Sequence, residues 1–221
     1  MKKILFFVAL FASQFVNAQI AVAYVTADQA VQTLLGPGVT YANAAFTGLP
    51  AQLGQMTGNT DANFQIADGV VIGCSDAQDI VLNYFGAAIT PNIAGDPDLL
   101  SVANSVPPLI GQGFTVGSVN NIAALEFDFV AIGDSLNFNY IFGSDEYLQW
   151  VNSQYNDVFA FFLSGPGITG PYASPAAFPG GSVNIAIVPQ STPPLPITIS
   201  SVNNVLNAPY YVDNGPGLIP I

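Results

Sequence analysis

Basic side chains are almost absent from this chain of 221 residues. Lys2 and Lys3 are its only basic residues, since it has no Arg and no His, whereas 14 residues are Asp or Glu. The formal net charge of -12 therefore cannot be balanced by ion pairs within the protein. Because like charges repel, clustered carboxylates in such a chain favour bound metal cations, and calcium is the first cation to expect.

The scarcity of basic residues also excludes several classes of function. Nucleic acids and anionic lipid surfaces are poor partners, because binding to phosphate groups depends on Lys and Arg. A Ser-His-Asp triad needs His, a Schiff base needs Lys and a guanidinium clamp needs Arg. Carboxylate chemistry is what is left, so a carboxylate-dependent glycoside hydrolase, or an accessory domain of one, is the alternative to a noncatalytic protein.

Cysteine and long apolar runs are also scarce. Cys74 is the only cysteine, so no disulfide can form within the chain. It follows the apolar run Val70 to Gly73, which indicates a buried strand, and we predict that the thiol packs there as a small apolar group. The alternative is that Cys74 pairs with a cysteine in sequence beyond Ile221. No apolar run reaches the roughly 20 residues that span a bilayer, so no transmembrane span is predicted.

The first 18 residues have the pattern of a secretory signal peptide. Lys2 and Lys3 precede the short apolar run Ile4 to Ala12, and small residues lie before the expected mature start at Gln19. We therefore predict Sec-dependent export to the extracellular space or the bacterial outer cell surface. Loss of both lysines takes the net charge from -12 to about -14. Residues 19–221 are predicted to form a single domain.

Local patterns predict a mainly β fold with a few short helices in its N-terminal half. Helix caps are expected at Thr26, Ser75 and Asp96. From Leu125 the apolar residues alternate, which predicts strands over 125–129 and 136–142 joined at Gly133-Asp134. Three further runs are apolar on both faces and are predicted to be interior strands, namely 158–163, 183–188 and 197–202. An antiparallel β-sandwich, jelly-roll-like, is the simplest architecture for this pattern.

The densest group of oxygen ligands flanks one connection between predicted strands. The predicted metal ligands are Asp145, Glu146, Asn156 and Asp157, with Asp134 or Asp128 as a further ligand. Calcium takes about 6 to 8 such oxygens, including carbonyls and water. A bound calcium could have a purely structural role and join two loops, or it could also help to hold a glycan or a partner protein. The third interpretation is that these acids are solvated and bind no metal. Adjacent acids on an extended backbone face opposite ways, which disfavours a hydrolase that uses Asp145 with Glu146.

Aromatic residues lie in or beside the same connection. Tyr147, Trp150 and Tyr155 could stack on sugar rings while neighbouring amides bind hydroxyls, or they could simply pack in the core. Trp150 is the best candidate for an exposed position because its neighbours are polar. We therefore predict a ligand-binding surface of Trp150, Tyr147 and Tyr155 for an extracellular glycan or a surface protein.

These motifs together resemble one known family. The matching segments are Leu125-Glu126-Phe127-Asp128-Phe129, Gly133-Asp134-Ser135-Leu136, Phe142-Gly143-Ser144-Asp145-Glu146-Tyr147 and Tyr155-Asn156-Asp157-Val158-Phe159. They resemble the choice-of-anchor L domain, from roughly Ala27 to the end of the chain. The resemblance implies a secreted module, frequent in Bacteroidetes surface proteins, with no catalytic residues to carry over. It also implies that the domain is incomplete at its C-terminus, before the family's final strands. We expect a calcium-stabilised adhesion or display module.

Overall fold

The computed structural model describes residues 20–36, 38–60, 65–82, 95–131 and 133–213. The predicted signal peptide lies outside these residues. The strands are Ala21–Tyr24 (β1), Val39–Thr47 (β2), Leu53–Thr57 (β3), Gly69–Ile72 (β4), Ala124–Ala131 (β5), Phe162–Leu163 (β6) and Val183–Asn184 (β7). The α-helices are Ala27–Leu34 (α1), Asp79–Leu82 (α2) and Pro97–Leu109 (α3). All the strand pairs are antiparallel, so the predicted mainly β fold is confirmed.

Two sheets in the N-terminal half meet at helix α1. One sheet has the strand order β1-β3-β4, and the other is the pair β2-β5. Helix α1 contacts β2 in the second sheet and β3 and β4 in the first. Ala30 and Val31 on this helix are fully buried. The apolar side of α1 therefore links the two sheets, and burial of its apolar groups stabilises this arrangement.

Two helices begin where the sequence predicts. Thr26 Oγ1 accepts a hydrogen bond from Gln29 N at 3.3 Å, and Gln29 Oε1 accepts one from Thr26 N at 2.9 Å. This capping box satisfies donors that the first turn of α1 would otherwise leave free. At α3, Asp96 Oδ1 accepts from Asp98 N and Leu99 N, both at 2.8 Å. Both caps are local in sequence, which is why the pattern alone located them.

The connection after β4 differs from the prediction in two ways. Cys74 is exposed rather than buried. The ladder between β4 and β3 ends at Ile72, so the thiol of Cys74 lies beyond the sheet. The second helix begins at Asp79, later than the predicted cap at Ser75. Asp76 accepts a hydrogen bond from the backbone N–H of Gln78 at 2.9 Å, and this local bond favours a turn before the helix.

Of the two predicted strands joined at Gly133-Asp134, 125–129 is confirmed as part of β5, whereas 136–142 is wrong because these residues form no strand. Strand β5 pairs with β2, in a register that places Leu125 opposite Phe46 and Phe129 opposite Tyr41. Burial does alternate in both predicted strands, yet residues 135–144 belong to no ladder. The period of a sequence predicts which face is buried. It does not specify the neighbouring strand, which depends on cross-strand packing between distant segments.

The C-terminal half is built from short ladders and long connections. Where interior strands were predicted, the structure has the two-residue pair β6-β7 and isolated bridges such as Val158 with Thr198. Phe162 is 36% exposed and Ile185 is 42% exposed, so burial on both faces was wrongly predicted there. The core of this half consists of Val106, Ala186, Val188, Leu195, Ile197 and Val202. Helix α3 contributes Val106 and so joins this core to the first half of the chain.

A tight backbone crossing closes the loop over residues 165–181. Gly170 N donates to Gly180 O at 3.1 Å, and a Cβ on Gly170 would overlap the backbone carbonyl of Ser182. We expect Gly170→Ala to lower the free energy of unfolding by about 2 kcal/mol, because rigid backbone must move. Urea unfolding measures this. Gly117→Ala is the control, since its Cβ meets nothing within 4 Å; equal losses in both variants would contradict the tight crossing.

Candidate functional site

The acidic loop, residues 143–157, connects the strand-like segment 135–143 to the bridge at Val158. Trp150 N donates to Glu146 O at 3.0 Å and closes a single turn within the loop. Asn152 N donates to Ser200 Oγ at 3.0 Å. Ile199 N donates to Asp157 O at 3.3 Å. The loop is therefore held at its middle and at its end by the same distant segment.

That segment is a buried polar turn, residues 198–203. Thr198, Ser200 and Ser201 are fully buried, and Asn203 is only 2% exposed. Ser201 Oγ donates to Pro196 O at 2.6 Å. Buried polar groups are costly unless they are paired, so a satisfied network here gives the acidic loop a rigid support.

Asn203 makes four side-chain hydrogen bonds in and around the buried polar turn. Its Nδ2 donates to Ile199 O and Ser200 O at 3.2 and 3.1 Å. Its Oδ1 accepts from the N–H groups of Val205 and Leu206 at 3.0 and 2.9 Å. Sequence reasoning missed this residue, because 197–202 was interpreted as an apolar strand. Adjacent Ser and Asn residues inside an otherwise apolar run were the available signal.

Ser144 links the carboxylate of Asp157 to the backbone of Glu146. Its Oγ donates to Asp157 Oδ2 at 2.7 Å and accepts from Glu146 N at 3.0 Å. Burial raises the pKa of Glu146, and the charges of Asp157 and Asp145 raise it further. Burial also raises the pKa of Asp157; the hydrogen bond from Ser144 acts the other way, and Asp145 adds to the increase. The loop therefore brings three predicted ligands into one electrostatic group.

Glu146 has an oxygen without a partner. Its Oε2 is buried and makes no hydrogen bond. The only basic side chains of the chain, Lys2 and Lys3, lie outside the described residues. No side chain of the described part can therefore neutralise this oxygen. A buried charged group without a partner is strongly disfavoured, so the oxygen favours either a proton or a bound cation.

Asn156, the predicted amide ligand, is 5% exposed, and its Oδ1 already accepts from Ser200 N at 3.3 Å. Its Nδ2 is buried and makes no hydrogen bond. An amide nitrogen is a donor and cannot ligate a cation, so only the carbonyl oxygen of this side chain suits calcium. Asn156 therefore has a structural bond to the buried polar turn besides its predicted role.

The two candidates for a further ligand, Asp134 and Asp128, are both exposed. Asp128 points from the exposed face of β5, where its Oδ2 accepts from Asn43 Nδ2 at 2.6 Å. Within the described ranges, no group of three or more His, Cys, Asp or Glu side chains is arranged to hold a metal ion. Any cation at the loop would need water or other oxygens to complete its shell.

The three predicted aromatic residues separate into a pair and a single packed ring. Trp150 and Tyr155 meet edge to face with ring centroids 4.8 Å apart, and they are 37% and 50% exposed. Tyr147 is half-buried instead. Its hydroxyl donates to Val202 O at 2.7 Å, its ring lies 5.1 Å from that of Tyr211, and burial raises its pKa. The exposed pair is therefore Trp150 with Tyr155, while Tyr147 attaches the loop to the C-terminal segment.

Comparisons with known proteins agree with the motifs found in the sequence. The family model described as the choice-of-anchor L domain matches residues 17–215, which include the whole acidic loop and the buried polar turn. No curated protein and no solved structure matches the chain. Among the described residues, no helix is long and apolar enough to cross a membrane.

Proposed function

Because this chain belongs to the choice-of-anchor L domain family, we propose that it is a secreted, noncatalytic adhesion or display module of the bacterial cell surface. It binds an extracellular glycan or a surface protein through Trp150 and Tyr155. Calcium at the acidic loop stabilises the surface that these two residues form. The observation that supports this proposal most directly is an exposed aromatic pair on the same short loop as the three carboxylates.

The calcium part of the proposal starts from the uncompensated charge of the loop. Glu146 Oε2 has no partner, and Asp157 and Asp145 act on the same carboxyl group. A divalent cation would reverse this repulsion, because it makes each nearby carboxylate favourable in its charged form. Glu146, Asp157 and Asp145 would supply carboxylate oxygens, and water would complete the shell. Because the protein supplies so few ligands, we expect a calcium dissociation constant of about 0.1 to 1 mM, which is the range of extracellular calcium-binding modules.

The binding part of the proposal starts from the geometry of the aromatic pair. The edge-to-face contact at 4.8 Å gives each ring a fixed neighbour, so the pair is preorganised before a ligand arrives. The backbone bond from Asn152 to Ser200 fixes the loop between the two aromatic residues. A sugar ring or an apolar side chain of a partner can cover the exposed faces. Amides beside the pair, such as Gln154, can hydrogen-bond to its polar groups.

Removing either ring of the pair tests the binding surface. We expect Trp150→Ala and Tyr155→Ala each to weaken glycan binding about tenfold, because stacking area and preorganisation are both lost. A glycan array in calcium identifies the binding sugars, and titration with the strongest one gives the dissociation constants. Tyr210→Ala is the matched control, since Tyr210 is also 50% exposed but lies outside the acidic loop. Wild-type binding by Trp150→Ala would reject the aromatic pair as the binding surface.

A carboxylate-dependent hydrolase is the second candidate function, and one observation favours it. Glu146 has a raised pKa beside the second acid Asp157, as a general acid requires. Release of reducing sugar from the glycans that bind on the array would measure this activity. If Glu146→Gln abolishes the release while binding persists, the protein is a hydrolase.

A further inference from the structure

The segment over residues 135–143 has the form of a strand, but no strand of the described part of the chain pairs with it. It contains no turn, bend or helix, and burial alternates along it, with Leu136, Phe138, Tyr140 and Phe142 half-buried. No hydrogen bond joins a backbone N–H or C=O of the segment to any other described residue. Such a row of unpaired donors and acceptors is the usual template for pairing with another strand.

Side-chain packing holds the segment in place without a ladder. The rings of Tyr140 and Phe159 are 5.1 Å apart, and those of Phe138 and Phe161 are 5.6 Å apart. These contacts anchor the inner face of the segment on the C-terminal core. The outer face remains exposed at Asn137, Asn139 and Ile141. The backbone is therefore held extended by its aromatic face, and its outer face stays open to solvent.

The chemistry of the segment suits pairing with itself. Residues 135–144 contain no charge and no Pro, and Asp134 and Asp145 bracket them. Natural edge strands usually carry charges or Pro, or are covered by another element, and these features prevent association with other strands. Residues 135–144 lack the first two of these protections. In an antiparallel pair of two copies, each uncharged segment lies along the other, so the like charges stay at the ends. A strand of another protein with acids in its middle would not place an uncharged segment along residues 135–144.

There is also room beside the start of the segment. A groove of about 490 Å³ runs between residues 133–138 on one side and the end of α1 with the start of β2 on the other. Leu34, Val39 and Leu136 are among its lining residues. The start of the segment therefore borders open space.

We propose that residues 135–143 are an edge strand that pairs antiparallel with the same segment of a second copy of this chain. The contact is isologous, because the same surface is used on both copies. Antiparallel pairing brings Asp134 of one copy towards Asp145 of the other at both ends of the shared strand pair. The net charge of -12 on each copy opposes association, so the dimer is favoured by salt that screens this repulsion.

Charge substitutions at Asn139, which is exposed near the middle of the segment, test the pairing. In a symmetric antiparallel pair this position lies near itself across the interface. We expect Asn139→Lys alone and Asn139→Asp alone each to weaken dimerisation about fivefold, because like charges on the two strands repel each other. An equimolar mixture of the two variants is expected to restore the dimer, since Lys then meets Asp. Asn204→Lys, an exposed substitution outside the segment, is expected to dimerise like wild type.

The measurement is analytical ultracentrifugation over about 1 to 100 µM protein, in chelator and at moderate salt, so that neither calcium nor a glycan is needed. Thermal melts of each variant confirm that folding is unchanged. Recovery of the dimer only in the mixture supports the proposal, because a general folding defect cannot be repaired by mixing. A wild-type protein that stays monomeric throughout, or a dimer indifferent to both variants, overturns it.

Discussion

Calcium at 10 mM is expected to raise the melting temperature of this protein by about 3 to 11 °C, because binding to the native state adds about 1.4 to 2.7 kcal/mol when the dissociation constant is about 0.1 to 1 mM. The ion relieves the repulsion among Asp145, Glu146 and Asp157 and gives the unpartnered Oε2 of Glu146 an ion partner. Differential scanning fluorimetry in chelator, calcium and magnesium measures the shift. Magnesium is expected to do less, since it requires a more regular and smaller shell.

The double variant Asp145→Asn with Asp157→Asn is expected to lose the calcium response. Its matched control is Asp28→Asn with Glu126→Gln, which removes the same charge from acids outside the group. That control should keep the full response. An unchanged response in the first variant, or equal losses in both, would contradict calcium binding at the acidic loop.

The dependence of stability on pH is an independent test of the same carboxylates. The pKa values of Glu146 and Asp157 are raised in the folded state above their ordinary values of 4.5 and 3.8. Their protonated forms therefore stabilise the fold, and this contribution is lost as the pH rises through the folded pKa values. In chelator, stability should rise as the pH falls from 7 towards 5, while the added effect of calcium shrinks. Both trends should flatten in the variant that lacks Asp145 and Asp157.

Asn203→Ala is expected to lower the free energy of unfolding by about 4 kcal/mol, which is exceptional for one substitution. The variant loses four hydrogen bonds and leaves buried backbone groups of Ile199 and Ser200 short of a donor. Since Ser200 also binds the loop through Asn152 and Asn156, the acidic loop should loosen with it. Urea unfolding monitored by tryptophan fluorescence reports on the free energy of unfolding and on the acidic loop, because the only tryptophan, Trp150, lies in that loop.

The neighbouring Asn204 provides a control of the same residue type. Its side chain is exposed and makes no hydrogen bond to another described residue. Asn204→Ala should change the free energy of unfolding by no more than about 0.5 kcal/mol. Similar losses at Asn203 and Asn204 would show that the buried polar turn does not support the loop.

Much of the candidate site could be predicted from residue types alone. The chain has almost no basic residues, so its acids had to be interpreted without protein partners, and the unpartnered Glu146 agrees with that reasoning. The exposed position of Trp150 was predicted from its polar neighbours, whereas its contact with Tyr155 was not. Ser144 could not be predicted as the link between Glu146 and Asp157, because that bond depends on how the backbone folds between them.

The sequence by itself determined the features that depend on neighbouring residues. These are the helix caps at Thr26 and Asp96, the alternating burial of 125–129 and 136–142, and the acidic loop with its aromatic residues. Hydrogen bonds and periodicity that act over a few positions leave a direct trace in the order of residues.

Only the tertiary structure decided which distant segments meet. It placed β2 beside β5 and left residues 135–143 without a ladder. It also turned Tyr147 towards Val202 and set the polar turn 198–203 beneath the acidic loop. These outcomes depend on the packing of surfaces far apart in the chain, and many pairings satisfy the same local pattern, so no short stretch of sequence specifies them.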